Sequence, residues 1–295
     1  MKNRIAVATD FSQNSMMALT KAIYLAKTLK YTLDVVHIVE YSIFRDPKKD
    51  KRAGKEALSK FLNEHFPSTE VEIQQFCYVG ALHKKLNSHI RDRECRLLCI
   101  GAAGESQHLT AVLLGSTTKK IVKNSPIPVL VAKNESVPDY LNIFSPTDFS
   151  DISFEFVKTI EKFFVGANFI FYHMINRPFE LRLGHYGANE DQISKYNTKL
   201  ETKAKARSQE FLNHFNKKDK NQTQEKVQID KKDKNQTQEK AQIVLDSGIL
   251  SYARLLSVAD SKNASVIALP TSGKISFFAL DVLQNSHLDV VIWKV

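Results

Sequence analysis

Gly101, Gly104 and the run Gly115-Ser116-Thr117 stand within one stretch, residues 97–118, LLCIGAAGESQHLTAVLLGSTT. Glycine lets the backbone come close to an anion. Hydroxyls and the free N–H groups at a helix start favour negative charge. The spacing therefore suits a polyphosphate. It also suits a plain strand–loop–helix connection with glycines at its turns, because short glycine patterns recur often. A second group that could do chemistry is Asp10, in Ala8-Thr9-Asp10-Phe11-Ser12 at the end of an apolar run. It reads either as a ligand contact or as a turn and cap residue.

The elements that must position these residues alternate. Arg4 to Ala8 reads as a strand, and residues 15–29 as a helix with Met17, Ala18, Ala22, Ile23 and Ala26 at helical spacing. Residues 32–39 form a second strand, 48–52 a charged loop, 53–65 a helix and 71–79 a third strand. Gly80 opens a third helix with Leu82, Leu86 and Ile90 inward. Leu97 to Ile100 is a buried strand, a helix spans 118–124, and Pro126 to Val131 closes with a strand. Strands and helices alternating at this length predict a parallel, doubly wound α/β sheet.

The pattern then restarts. Ala8-Thr9-Asp10-Phe11-Ser12 returns as Pro146-Thr147-Asp148-Phe149-Ser150, and Val36-His37-Ile38 as Tyr172-His173-Met174. Gly80 returns as Gly248, and Asn124-Ser125 as Asn285-Ser286 before a closing apolar run. This reads as a tandem duplication with a linker at 133–140. A chain of 295 residues accommodates two domains of about 150. The second copy carries KKDKNQTQEKVQI and then KKDKNQTQEKAQI, a repeat with a period of fourteen, over residues 217–243. It is too polar to bury a core of its own. A lengthened surface loop is the plain reading, and a tethering or partner-binding arm the sharper one.

Composition narrows the classes. Apolar residues are 43% and charged residues 25%, ordinary for a globular protein. No apolar run has the ~18 residues of a membrane helix, and the N-terminus does not read as a signal peptide, so the expected location is the cytoplasm. The formal charge of +10 is spread along the chain with no aromatic-interleaved basic motif, so solvated surface is expected rather than nucleic-acid binding. Cys77, Cys95 and Cys99 fit a reducing compartment. Cys95-x3-Cys99 lacks a second ligand pair and reads as core, so no metal site and no redox cofactor are expected. His37, inside an apolar run, reads as a packed histidine rather than a catalyst.

Together these residues resemble the universal stress protein family. Its nucleotide-binding branch has a strand-end aspartate and a Gly-x2-Gly-x9-Gly-[Ser/Thr] loop. Here the aspartate is Asp10, and the loop, Gly101-x2-Gly104-x10-Gly115-Ser116, is one residue longer. The resemblance covers all but the 217–243 insert. It implies two tandem open parallel five-stranded sheets in the order 3-2-1-4-5, over residues 1–133 and 139–295. It implies that Ala8, Thr9 and Asp10 lie beside the adenosine of a bound ATP, with or without Mg2+. Ile38 would offer backbone contact to adenine. Gly101, Ala103 and Gly104 would wrap the phosphates, and Gly115, Ser116 and Thr117 would cap them.

The second copy departs from this pattern. Aligned on Asn285-Ser286, Ser276-Phe277-Phe278 fall opposite Gly115-Ser116-Thr117, and Gly273 is the only loop glycine. That half is expected to be structural or partner-binding. No Walker lysine, paired magnesium carboxylates or motif-placed base occurs, so no catalytic residue is assigned and weak ATP hydrolysis is the most expected. The leading reading is ATP held as a regulatory or sensory ligand in a stress response, and the alternative is a nucleotide-free interaction scaffold. A protein partner is left unnamed. Both apolar closing strands would be sheet edges, which predicts an internal pseudo-dimer through them, with room for a further homodimer.

Overall fold

A computed structural model describes residues 3–41, 46–102, 115–135, 139–177, 187–216, 240–271 and 275–294. The first half runs β1 (Arg4–Thr9), α1 (Gln13–Leu29), β2 (Thr32–Val39), α2 (Pro47–His65), β3 (Ile73–Val79), α3 (Leu82–Asp92), β4 (Cys95–Gly101), α4 (Ser116–Asn124) and β5 (Val129–Ala132). The second runs β6 (Asn142–Pro146), α5 (Asp151–Glu161), β7 (Asn168–Ile175), α6 (Glu190–Asn216), β8 (Ala241–Ser247), α7 (Tyr252–Ser261), β9 (Val266–Thr271), α8 (Phe277–Asn285) and β10 (Asp289–Lys294).

Local chemistry sets the ends of these elements. Ser12 caps α1 by accepting from the Ser15 N–H, and Lys30 ends it in the left-handed conformation at φ 57°. Asp46 caps α2, with Pro47 in its first turn. The charged residues 48–52, expected as a loop, are therefore the first turns of a helix. Their charges face solvent, and the apolar stripe begins only at Leu58, Phe61 and Leu62.

The ten strands make one sheet, β3-β2-β1-β4-β5-β10-β9-β6-β7-β8, where two separate sheets were expected. Each half keeps the order 3-2-1-4-5. They fuse where β5 meets β10 antiparallel, pairing Val131 with Val290, Leu130 with Val291 and Val129 with Ile292. The physical reason is the one that predicted a meeting there. Two apolar edges expose unpaired backbone groups, and ladder formation satisfies both.

Helices cover both faces. Ala18 and Leu19 of α1, Leu58 of α2, Phe156 of α5 and Phe211 of α6 share one apolar core. Leu86 of α3, Ile121 of α4, Leu255 of α7 and Val282 of α8 share the other. Leu130 and Val291 lie in the first core, while Val129, Val131, Val290 and Ile292 lie in the second. Both cores therefore run unbroken across the seam, as alternation along a strand requires. Two sequence boundaries also shift. Lys133 and Tyr140, at the ends of the expected linker, are buried. Ala241, Gln242 and Ile243, assigned to the polar insert, begin β8. Among the described residues no helix is long and apolar enough to cross a membrane.

Candidate functional site

β1 ends at Thr9, and the chain turns through Phe11 at φ 65°. The turn is held from inside. Thr9 is buried, its Oγ1 is 3.0 Å from Ser15 Oγ, and it accepts from the Phe11 N–H at 3.1 Å. Asp10 is exposed, and its Oδ1 accepts from the Ser12 N–H at 3.1 Å and the Ser12 hydroxyl at 2.5 Å. Its turn role is thus visible in these contacts, and no hydrogen bond to Oδ2 occurs among the described residues. His37 Nδ1 lies 2.9 Å from the Thr9 carbonyl, and its ring packs on Phe11 at 4.3 Å. It locks the turn, as a packed histidine would. Ala8 is half-buried and Ile38 is buried.

Gly101 ends β4 under tight constraint. A Cβ there would stand 2.6 Å from the Asn14 carbonyl oxygen, so the start of α1 crosses directly over it. This close approach is to the chain's own backbone, which the glycine spacing alone does not disclose. The Gly101 carbonyl accepts from Thr118 Oγ1 at 3.1 Å, and the Gly115 N–H donates to the Ala102 carbonyl at 3.0 Å. Those two bonds hold the end of β4 against the start of α4. Ala103 and Gly104 lie outside the described residues. Gly115 has φ −60° and ψ 147°, ordinary extended backbone, and it supplies no side-chain cap to α4. Ser116 and Thr117 are exposed in the first turn of that helix. Asp10, Ile38, Gly101 and Gly115 thus stand at the carboxyl ends of β1, β2 and β4 or just beyond. Strand order reverses between β1 and β4, the place where open α/β sheets hold ligands.

The second half repeats this geometry. Phe149 has φ 61°, His173 Nδ1 lies 2.8 Å from the Thr147 carbonyl, and the two rings pack at 4.4 Å. Asp148 Oδ1 accepts from the Ser150 N–H at 3.0 Å and the Ser153 hydroxyl at 2.7 Å. Burial works to raise its carboxyl, but the bonds from Ser150 and Ser153 outweigh it and hold it below the usual range. The helix start differs, because Ser276 Oγ accepts from the Ala279 N–H at 3.1 Å and closes it. Beside Asp148 lies a hollow of about 320 Å³. A larger hollow, about 630 Å³, runs along α6 but is lined by that one helix. A single wall encloses no ligand.

At the amino edge of the sheet, Asp34, His89 and Cys95 bring ligand-type atoms within 4.8 Å of one another. Arg4 and Arg93 already bond the Asp34 carboxylate at 2.9 and 3.1 Å. Burial works to raise that carboxyl, yet His89, 3.2 Å away, and the bond from Arg93 hold it low. Burial also pushes the Cys95 thiol up to about 12. Two guanidiniums and a protonated thiol oppose a cation here, so the trio reads as an ion network under the sheet.

Sequence reasoning missed two polar groups, the first buried and the second at the surface. One joins Lys21, Lys133, Tyr140 and Asp289, and its signal is a lysine interrupting the stripe of Ala18, Ala22 and Leu25. The other joins Asp246 to Arg254 through two 2.7 Å bonds and to Tyr172 at 2.9 Å. The Arg254 bonds hold the Asp246 carboxyl down at about 2, and burial pushes Tyr172 up to about 12.

This geometry defines a class: a doubly wound α/β protein whose two halves share one strand order, each with a switch point between its central strands. Residues 1–133 match the universal stress protein family. A universal stress protein of Methanocaldococcus jannaschii is 26% identical over 140 residues, covering 44% of this chain and 81% of that protein. A universal stress protein from Archaeoglobus fulgidus aligns over 99% of this chain and 98% of its own, with TM-score 0.66 and 16% identity. A functionally unknown protein from Pseudomonas aeruginosa aligns over 100% and 92%, with TM-score 0.64 and 15% identity. At such identities the likeness is one of fold, and it extends over both halves.

Proposed function

We propose that the first half binds an adenine nucleotide, ATP, as a regulatory or sensory ligand in a cytoplasmic stress response. Ala8, Thr9 and Asp10 would face the adenosine, and the Ile38 backbone the adenine. Gly101, Ala103 and Gly104 would surround the phosphates, with Gly115, Ser116 and Thr117 at their end. The reading treats residues 1–133 and 139–295 as two domains, of which only the first holds nucleotide. One contrast carries it. The helix after the first crevice opens at Gly115 with no side-chain cap, leaving N–H groups for an anion, whereas its counterpart is closed by Ser276.

The nucleotide-free scaffold keeps support from Gly101, whose packing against Asn14 accounts for that glycine without a ligand. Calorimetric titration with ATP, with and without Mg2+, separates the two. The proposal expects one nucleotide per chain, abolished by Gly115→Val. Valine fits the extended backbone of Gly115, so the fold should survive while the branched side chain blocks the helix mouth. Absence of ATP binding, or unchanged affinity in the folded variant, leaves the scaffold.

A further inference from the structure

The second crevice is not a filled remnant. Its hollow of about 320 Å³ falls within the range of small-molecule sites. It lies at the carboxyl ends of β6 and β9, where strand order reverses again. Leu250, Leu269, Pro270 and Phe278 give it apolar walls, and Asp148 is the one carboxylate among its lining residues. Asp148 Oδ1 is spent on Ser150 and Ser153. Its Oδ2 takes no hydrogen bond among the described residues. His173 also lines the hollow, but its Nδ1 is engaged by the Thr147 carbonyl.

Three features decide what such a site accepts. A carboxylate held in its ionised form attracts donors and repels anions. At the start of α8 Ser276 takes up the Ala279 N–H, and the bulky Phe277 and Phe278 stand where the first half has Ser116 and Thr117, so this helix mouth suits a phosphate less well. Ile152, Ile249, Leu250 and Phe277 are large apolar side chains left exposed. They come from three of the segments that line the hollow, around 148–153, 249–250 and 276–279.

We infer that this crevice is a second ligand site, for an uncharged, largely apolar ring compound bearing a hydroxyl or amine donor for Asp148, and that it rejects phosphorylated ligands. It is independent of nucleotide binding in the first half. One chain thus offers two crevices of one architecture and opposite charge preference.

A matched pair of probes tests this, 2-naphthol and 2-naphthyl phosphate, titrated calorimetrically into the intact chain with and without ATP. 2-Naphthol should fill one saturable site per chain with the same affinity in either condition, and the phosphate should bind at least about tenfold more weakly. Asp148→Asn keeps an acceptor for Ser150 and Ser153 but turns the free oxygen into a donor. It should cost about tenfold in 2-naphthol affinity, the loss of one hydrogen bond to a charged group. Leu250→Asp, on the exposed rim, should weaken 2-naphthol by a similar factor without touching the core. Equal binding of the two probes, unsaturable uptake, displacement of 2-naphthol by ATP, or unchanged affinity in both folded variants would each overturn the inference. ATP stoichiometry is read separately, so failure here leaves the nucleotide proposal standing or falling by itself.

Discussion

Lys21 and Asp289 lie 268 positions apart and form a fully buried ion pair, with Lys21 Nζ 2.6 Å from Asp289 Oδ2. Lys21 sits on α1 of the first half and Asp289 opens β10 of the second. The Lys133 N–H and the Tyr140 hydroxyl donate to the same carboxylate at 2.8 and 2.7 Å, and Lys21 also donates to Asn134 at 3.0 Å. The segment joining the halves is therefore pinned at both ends. Burial lowers the Lys21 amine, and burial together with the Asp289 charge raises Tyr140 well above its usual value. Both shifts mark a site kept from water.

Removing Asp289 strands three donors, one of them a charged ammonium. Asp289→Ala should lower stability by about 3–5 kcal/mol in denaturant titration, the usual consequence of breaking one side of a buried pair. A loss below about 1 kcal/mol would mean that Lys21 finds water or another partner.

Lys133 is buried, and its amine donates to the Leu283 carbonyl at 2.8 Å. Burial holds it down at about 8, against 10.5 when free. Between those values the unfolded chain binds more protons than the folded one, so stability rises with pH. Measured against Lys133→Met, the wild type should gain on the order of 2 kcal/mol between pH 8 and 10. Above pH 10 the raised Tyr140 works in the opposite sense, because the folded chain then holds a proton the unfolded chain has lost. Parallel profiles for the two proteins from pH 8 to 10 would show that Lys133 stays charged in the fold.

Leu130 is fully buried opposite Val291 at the seam. Leu130→Asp should cost more than about 4 kcal/mol, an unpaired charge in an apolar ladder. Trp293, two residues along β10, packs against the same core and should shift its emission to the red. Wild-type emission and wild-type stability in this variant would mean that the halves hold together without β5 and β10.

Deleting residues 217–230 removes one repeat unit and spares Ala241–Ser247, which forms β8. Loop closure changes by only about 0.6 kcal/mol per doubling of length. Melting temperature should stay within a few degrees of wild type, followed by circular dichroism. A larger fall would mean that the deleted unit packs on the body of the protein.

The period of the apolar residues determined most of the fold. Runs such as Leu97 to Ile100 and the stripe of α1 read directly as buried strand and amphipathic helix, because burial on two faces or one dictates those patterns. The return of Thr147-Asp148-Phe149-Ser150 with His173 suggested a duplication, and Phe11 and Phe149 adopt matching turns. That Asp10 and Gly101 stand at or just beyond the ends of neighbouring strands was legible, because strand order in this topology puts β1 beside β4. The tertiary structure alone decided four things. It set Gly101 against Asn14, a contact between segments that no local spacing encodes. It turned the meeting of β5 and β10, expected from their apolar edges, into an antiparallel ladder that makes one sheet of two. It placed Lys21 on Asp289 and left a cavity beside Asp148. A charge in an apolar stripe announces that a partner is needed, but which residue answers, and what volume remains unfilled, depends on packing of segments far apart in the chain.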